Sequence, residues 1–108
     1  MKVVLGMVTV PSREVGERLS SLLVERGLAA CVSLLPSLVS TYRWRGKVER
    51  EEELLLLIKT RGERVEELRL ALKENHPYEV PEMLFFDAHS VFPPYLEWVA
   101  ANTGGNNE

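Results

Sequence analysis

Residues Asn75 to Glu82 form the densest run of chemically useful side chains in this chain of 108 residues. The run reads Asn75-His76-Pro77-Tyr78-Glu79-Val80-Pro81-Glu82, with an imidazole, a phenol and two carboxylates set among two prolines. Proline fixes its own φ, so the two rings stiffen the segment and preorganise what it carries. His76 is a good ligand for Cu, Ni or Zn, and Glu79 and Glu82 are suited to holding a cation. A purely structural part fits the same residues: His76 closing a helix, Tyr78 packing, and Glu79 and Glu82 paired or solvated. The residue types alone leave the two readings level.

Cys31 is the other candidate ligand, as a soft thiolate for Cu(I) or as a redox sensor. It lies among Ala30, Val32 and Leu34, where a lone cysteine more often behaves as a small hydrophobe. His89, close to Asp87, reads as a surface histidine. The chain has no nucleophile, base and orienting group at readable spacing, no phosphate-binding glycine loop and no Cys-x-x-Cys pair. A binding protein is therefore expected rather than an enzyme. Net charge is −3, with acids and bases intermixed, which gives no electrostatic case for nucleic acid or an anionic membrane as partner. The apolar runs are too short to span a bilayer. A single cysteine cannot form an internal disulfide, in keeping with a reducing cytosol. The opening residues lack the features of a secretory leader and read as a strand.

The elements that position these residues follow from pattern. Lys2 to Val10 is apolar and β-branched, a first strand ended by Pro11. Ser12 is placed to cap a helix whose stripe is Val15, Leu19, Leu22 and Leu23, closed by Gly27. A second strand starts at Leu28 or Ala29 and runs to Trp44. A turn at Arg45-Gly46-Lys47 leads to a third strand, Lys47 to Thr60. Its first half, Glu49 to Glu53, reads as solvated. Its second half, Leu54 to Ile58, is a short continuous apolar run that suits a central strand better than a continuous helix through Asn75. A second helix, Glu63 to Asn75, is stopped by Pro77. Met83 to Ala88 is a fourth strand, and Phe92 to Ala101 a short terminal helix. Residues 1–103 read as one domain and 104–108 as a disordered tail.

This order is β-α-β-β-α-β, an α+β ferredoxin-like sandwich with strand order 4-1-3-2. Strand two then lies at an edge, where Pro36 is tolerated, and strand three in the centre. By period two, Val32, Leu34, Leu38, Tyr42 and Trp44 share one face. The arm from Ala29 to Trp44 spans roughly 50 Å if straight, whereas a domain of this length is roughly 34 Å across. The arm must bend, with Pro36 as the natural place, or project. A projecting tip bearing Leu38, Val39, Tyr42 and Trp44 needs a partner, so a homo-oligomer with Tyr42 and Trp44 in its contacts is expected.

The motifs together resemble the CutA divalent-cation tolerance family. They are Leu28-Ala29-Ala30-Cys31-Val32, Tyr42-Arg43-Trp44-Arg45-Gly46-Lys47, Ile58-Lys59-Thr60-Arg61, His76-Pro77-Tyr78-Glu79-Val80-Pro81-Glu82 and Tyr95-Leu96-Glu97-Trp98-Val99. The resemblance implies a cytoplasmic homotrimer built by its long hairpins, similar in architecture to PII signalling proteins. It also implies a link to tolerance of copper and other divalent cations, with Cu(II) or another divalent ion as ligand. It marks His76 as a metal candidate, which joins Glu79 and Cys31, candidates by their side-chain chemistry. Lys59, Tyr78, Glu79, Glu82 and Trp98 are marked as lining an intersubunit cleft that could take a small ligand or meet a protein partner. Some members carry a histidine where this chain has Asn75 and a cysteine where it has Val8, so weaker metal affinity is expected here.

Overall fold

A computed structural model describes residues 1–104. The expected tail therefore lies, apart from Gly104, outside the described residues. The element order is β1 (Val3–Val10), α1 (Arg13–Glu25), β2 (Cys31–Trp44), β3 (Lys47–Arg61), α2 (Val65–Asn75), β4 (Met83–Asp87) and α3 (Pro93–Ala101). The four strands form one antiparallel sheet in the order β2-β3-β1-β4. That is the expected ferredoxin-like topology, with Pro36 on an edge strand and Leu54 to Ile58 in a central one.

Local chemistry sets the boundaries. Ser12 is extended, and its hydroxyl accepts a hydrogen bond from the Val15 N–H, capping α1. Gly27 takes φ +70° just beyond the helix, as a C′ glycine does. A short 3-10 turn, Gly62–Arg64, precedes α2 and delays its start by two residues from the expected Glu63. Arg45 and Gly46 both have positive φ, 51° and 80°, which is the two-residue hairpin turn whose twist matches the strands it joins.

Helices α1 and α2 cover one face of the sheet. Between them lie Val8, Val10, Leu19, Leu23, Leu56, Ile58, Leu68 and Leu72, with Val32, Leu34 and Phe85 packed against them. The other face is only partly covered: α3 packs Val99 against Val3 and Ala30 at one end. Leu55 and Leu57 stay half-buried, and Leu35, Leu84 and Phe86 are exposed. Thr60 is fully buried, and its hydroxyl donates 2.7 Å to the Leu28 carbonyl, pinning the α1–β2 connection to the end of β3. Thr60→Val keeps the shape but leaves that carbonyl without its donor. It is expected to cost about 1–3 kcal/mol, read as a lower urea midpoint at unchanged slope.

One expected pattern is corrected. Val32 and Leu34 do face the helices opposite Ile58 and Leu56. The register then slips by one residue between Leu35 and Leu38, where Ser37 takes φ +64°. The extra residue inverts the alternation, as a bulge must. Leu38, Tyr42 and Trp44 therefore lie opposite Glu53, Glu49 and Lys47, on the open face rather than beside Leu34. The hairpin continues beyond the helices, and the molecule measures 45 × 27 × 21 Å. Along the hairpin Val39 is 60% exposed, Val48 62%, Tyr42 40% and Trp44 37%.

Candidate functional site

The bulge at Pro36 and Ser37 brings the aromatic side chains of β2 onto the same side as the acidic ones of β3. Glu49, Glu51 and Glu53 alternate along β3, so all three face this side. The loop after α2 crosses the end of the sheet and closes the other wall. Together these segments frame a cleft of about 700 Å³ lined by Thr9, Tyr42, Trp44, Glu49, Glu51, Glu53, Tyr78, Glu79, Val80 and Glu82. Ser40 and Thr41 complete it.

The loop is held by His76. Its ring is buried, with Nε2 2.8 Å from the Thr9 carbonyl, and Nδ1 accepts the Tyr78 N–H at 3.1 Å. A carbonyl can only accept, so Nε2 carries the proton and the imidazole is the neutral tautomer. The Tyr78 ring lies 4.7 Å from that of His76 at a tilt of 49°. Its hydroxyl donates 2.7 Å to Glu53 Oε2. Burial, the hydrogen bond to Glu53 and the charges of Glu53 and Glu51 all push the Tyr78 phenol well above its ordinary value of 10.0. It is a fixed donor at neutral pH. Tyr42 reaches Glu51 Oε1 at 3.5 Å and is likewise raised, by desolvation and then by Glu51, Glu49 and Glu53. At the rim, Arg45 lies 5.3 Å over the Trp44 ring and 3.2 Å from Glu79 Oε1.

The candidate residues from sequence separate into two groups. Tyr78, Glu79 and Glu82 meet Tyr42 and Trp44 in the cleft. Lys59 and Trp98 do not line it. Lys59 lies opposite Cys31 and Leu5, and its ammonium donates to Ser33 Oγ at 2.7 Å and to the Leu57 carbonyl at 3.1 Å. Trp98 stacks on Tyr95 with ring centroids 5.8 Å apart. The Tyr95 phenol is raised by burial and then by nearby Cys31. Cys31, His76 and Glu79 are not brought into one group. Among the described residues, no three His, Cys, Asp or Glu side chains are arranged to hold a metal ion. Glu53, expected to be solvated, is 6% exposed because Tyr78 and Thr9 close over it. An acidic residue at every second position of a strand is the signal that could have marked Glu49, Glu51 and Glu53 as one lining.

A family profile described as CutA1 divalent ion tolerance protein matches residues 4–102. The chain belongs to the CutA1 family. It is 44% identical over 98 residues to the divalent-cation tolerance protein CutA of Thermus thermophilus, covering 91% of this chain and 95% of that one. The solved Thermus thermophilus structure superposes with a TM-score of 0.91 at 43% identity, over 96% of this chain and all of the other. A chloroplastic CutA of Arabidopsis thaliana is 43% identical over 96 residues, 89% of this chain, and the match spans about half of the plant protein's length, 53%. The names of the family and of the Thermus thermophilus relative describe tolerance of cations rather than a reaction. Among the described residues, no helix is long and apolar enough to cross a membrane.

Proposed function

We propose that this CutA1 protein is a cytoplasmic homotrimer that answers divalent cations by binding, without catalysis, with residues 1–103 as its working domain. The observation that carries this reading is the cleft, where five glutamates surround one opening and Arg45 pairs with Glu79 at the rim. The exposed apolar face and hairpin tip support the trimer. The lone cysteine fits a reducing compartment.

The donor set within one chain does not fit a resident soft or borderline metal. Selective sites use three or four converging ligands, and His76 can offer a ring nitrogen only by giving up a backbone hydrogen bond. Glu79 is the candidate ligand already at the surface, where its partner is Arg45. A divalent ion such as Cu(II) is accordingly held loosely at the cleft carboxylates and exchanges readily.

Native mass spectra before and after Cu(II) addition test this. A trimer is expected, with copper uptake that weakens in Glu79→Gln. One tightly held copper per protomer, lost in His76→Ala, would instead restore a histidine site. A bare monomer sinks the trimer. A second reading, a PII-like module that takes a small ligand in the cleft, is favoured by one observation. The cleft is of ligand size, yet among the described residues it gathers no three-ligand group.

A further inference from the structure

We infer that the outer half of the β2–β3 hairpin exchanges between two registers, and that only the observed one builds the assembly surface. This rests on the proposed trimer. An odd number of residues separates Leu35 from its partner Leu55, so a two-residue turn leaves one residue over. In the observed register that residue is absorbed by the bulge at Pro36 and Ser37. The other place for it is the tip. Pairing Tyr42 with Val48 and Arg43 with Lys47 straightens β2 and leaves Trp44, Arg45 and Gly46 as a three-residue loop. Such a loop is a type I turn followed by a left-handed residue, and Gly46 already has φ +80°.

The backbone does not hold the observed register unaided. It places two non-glycine residues in the left-handed region, Ser37 at φ 64° and Arg45 at φ 51°, where Cβ crowds the following carbonyl. The shifted register needs Gly46 alone there. Burial gives no pin either. Register is firmly specified where one face of a strand is covered, and every residue from Thr41 to Val48 is exposed. The observed register is favoured by exposed side-chain contacts: Arg50 Nε donates 3.3 Å to Thr41 Oγ1, Tyr42 reaches Glu51 at 3.5 Å, and Arg45 pairs with Glu79. In the shifted register Arg43 opposes Lys47, and like charges directly opposite each other are unfavourable. The shifted register is therefore the minor one.

A one-residue slip sends each side chain to the other side of the sheet. Shifting takes Tyr42 and Trp44 away from Glu49, Glu51 and Glu53 and puts Val39, Thr41 and Arg43 in their place. The hairpin then presents a different surface, and the cleft loses a wall. A partner copy that packs against Tyr42 and Trp44 selects the bulged register, so assembly completes the folding of the outer hairpin.

Disulfide trapping in the full-length protein carrying Cys31→Ser tests this. Thr41 and Arg50 are opposite each other in the observed register, so Thr41→Cys with Arg50→Cys bonds there. Thr41 and Glu49 then point to opposite sides of the sheet, and become partners only in the shifted register. Oxidation of protein dilute enough to leave protomers unassembled should close both pairs. Thr41→Cys with Glu49→Cys should bond about 10 to 1,000 times more slowly, as a minor state populated at about 0.1–10% requires. By sedimentation velocity, the first oxidised protein should assemble and the second should not, until it is reduced. Deleting Ser37 removes the spare residue and should abolish the second disulfide while keeping the first. Ser37→Gly relieves the bulge and should slow the second disulfide, which keeps the test informative if the deletion unfolds. No second disulfide, or one that forms equally well without Ser37, would overturn the exchange. Equal assembly of both oxidised proteins would overturn its link to the interface. A wild type that sediments as a monomer would remove the trimer and that link together, whereas the second disulfide judges the exchange by itself.

Discussion

Replacing Val39 and Trp44 together by glutamate is expected to turn the proposed trimer into monomers that remain folded, as read by sedimentation velocity alongside far-UV circular dichroism. Both side chains project from the hairpin beyond the helices, so the monomer's own core does not contain them. Each apolar side chain buried at an interface contributes about 1.5–3 kcal/mol, and a symmetric assembly loses every copy at once. New carboxylates would also meet an acidic surface, since Glu49, Glu51 and Glu52 lie along the same hairpin. The effect should exceed that of any single substitution within the protomer. A wild-type protein that sediments as a monomer, or a variant that stays assembled, would remove the hairpin from the interface.

The fold was legible in the sequence because its signals were redundant. Pro36 required an edge strand and Leu54 to Ile58 a central one, and the β2-β3-β1-β4 order satisfies both. Ser12, Gly27 and Gly46 act as caps and turn through backbone geometry that their residue types favour. The burial of the apolar run is less complete than expected. Leu56 and Ile58 are buried under the helices, whereas Leu55 and Leu57 face the open side and are half-covered in one chain.

The site was only half legible. Tyr78, Glu79 and Glu82 stand together in sequence between prolines and stay together in the cleft. Its other wall comes from the hairpin, and two features hid that. A serine at φ +64° gives no compositional warning of a bulge, yet that residue decides on which face Tyr42 and Trp44 appear. Glu53 belongs to a charged run that resembles ordinary solvated surface until a tyrosine from 25 residues further along the chain closes over it. Long-range pairing of this kind is absent from local pattern. Lys59 and Trp98 share family motifs with the cleft residues, but motif membership fixes no distance, and within one chain they sit elsewhere.

His76 illustrates how far a ligand-type residue can be absorbed by structure, and His76→Ala is expected to destabilise the protein by about 2–4 kcal/mol even with metal absent. The imidazole joins two segments far apart in the chain. Nε2–H satisfies the Thr9 carbonyl at the end of β1, and Nδ1 satisfies the Tyr78 N–H in the loop. Alanine leaves both backbone groups without these partners in a buried setting, at about 1–3 kcal/mol each before any relaxation, and it opens a cavity beside the Tyr78 ring. Some of this is recovered if water enters, which sets the upper end. His76→Gln retains an amide able to reach one of the two groups, so it should recover part of the loss. Urea denaturation in the presence of EDTA measures both variants. The loosened loop also frees Tyr78 from Glu53, so the phenol of His76→Ala should titrate closer to pH 10 by ultraviolet absorbance. If EDTA lowers wild-type stability to that of His76→Ala, the histidine's role is metal ligation. If the variant falls by the same amount with and without chelator, its role is to hold the cleft wall in place.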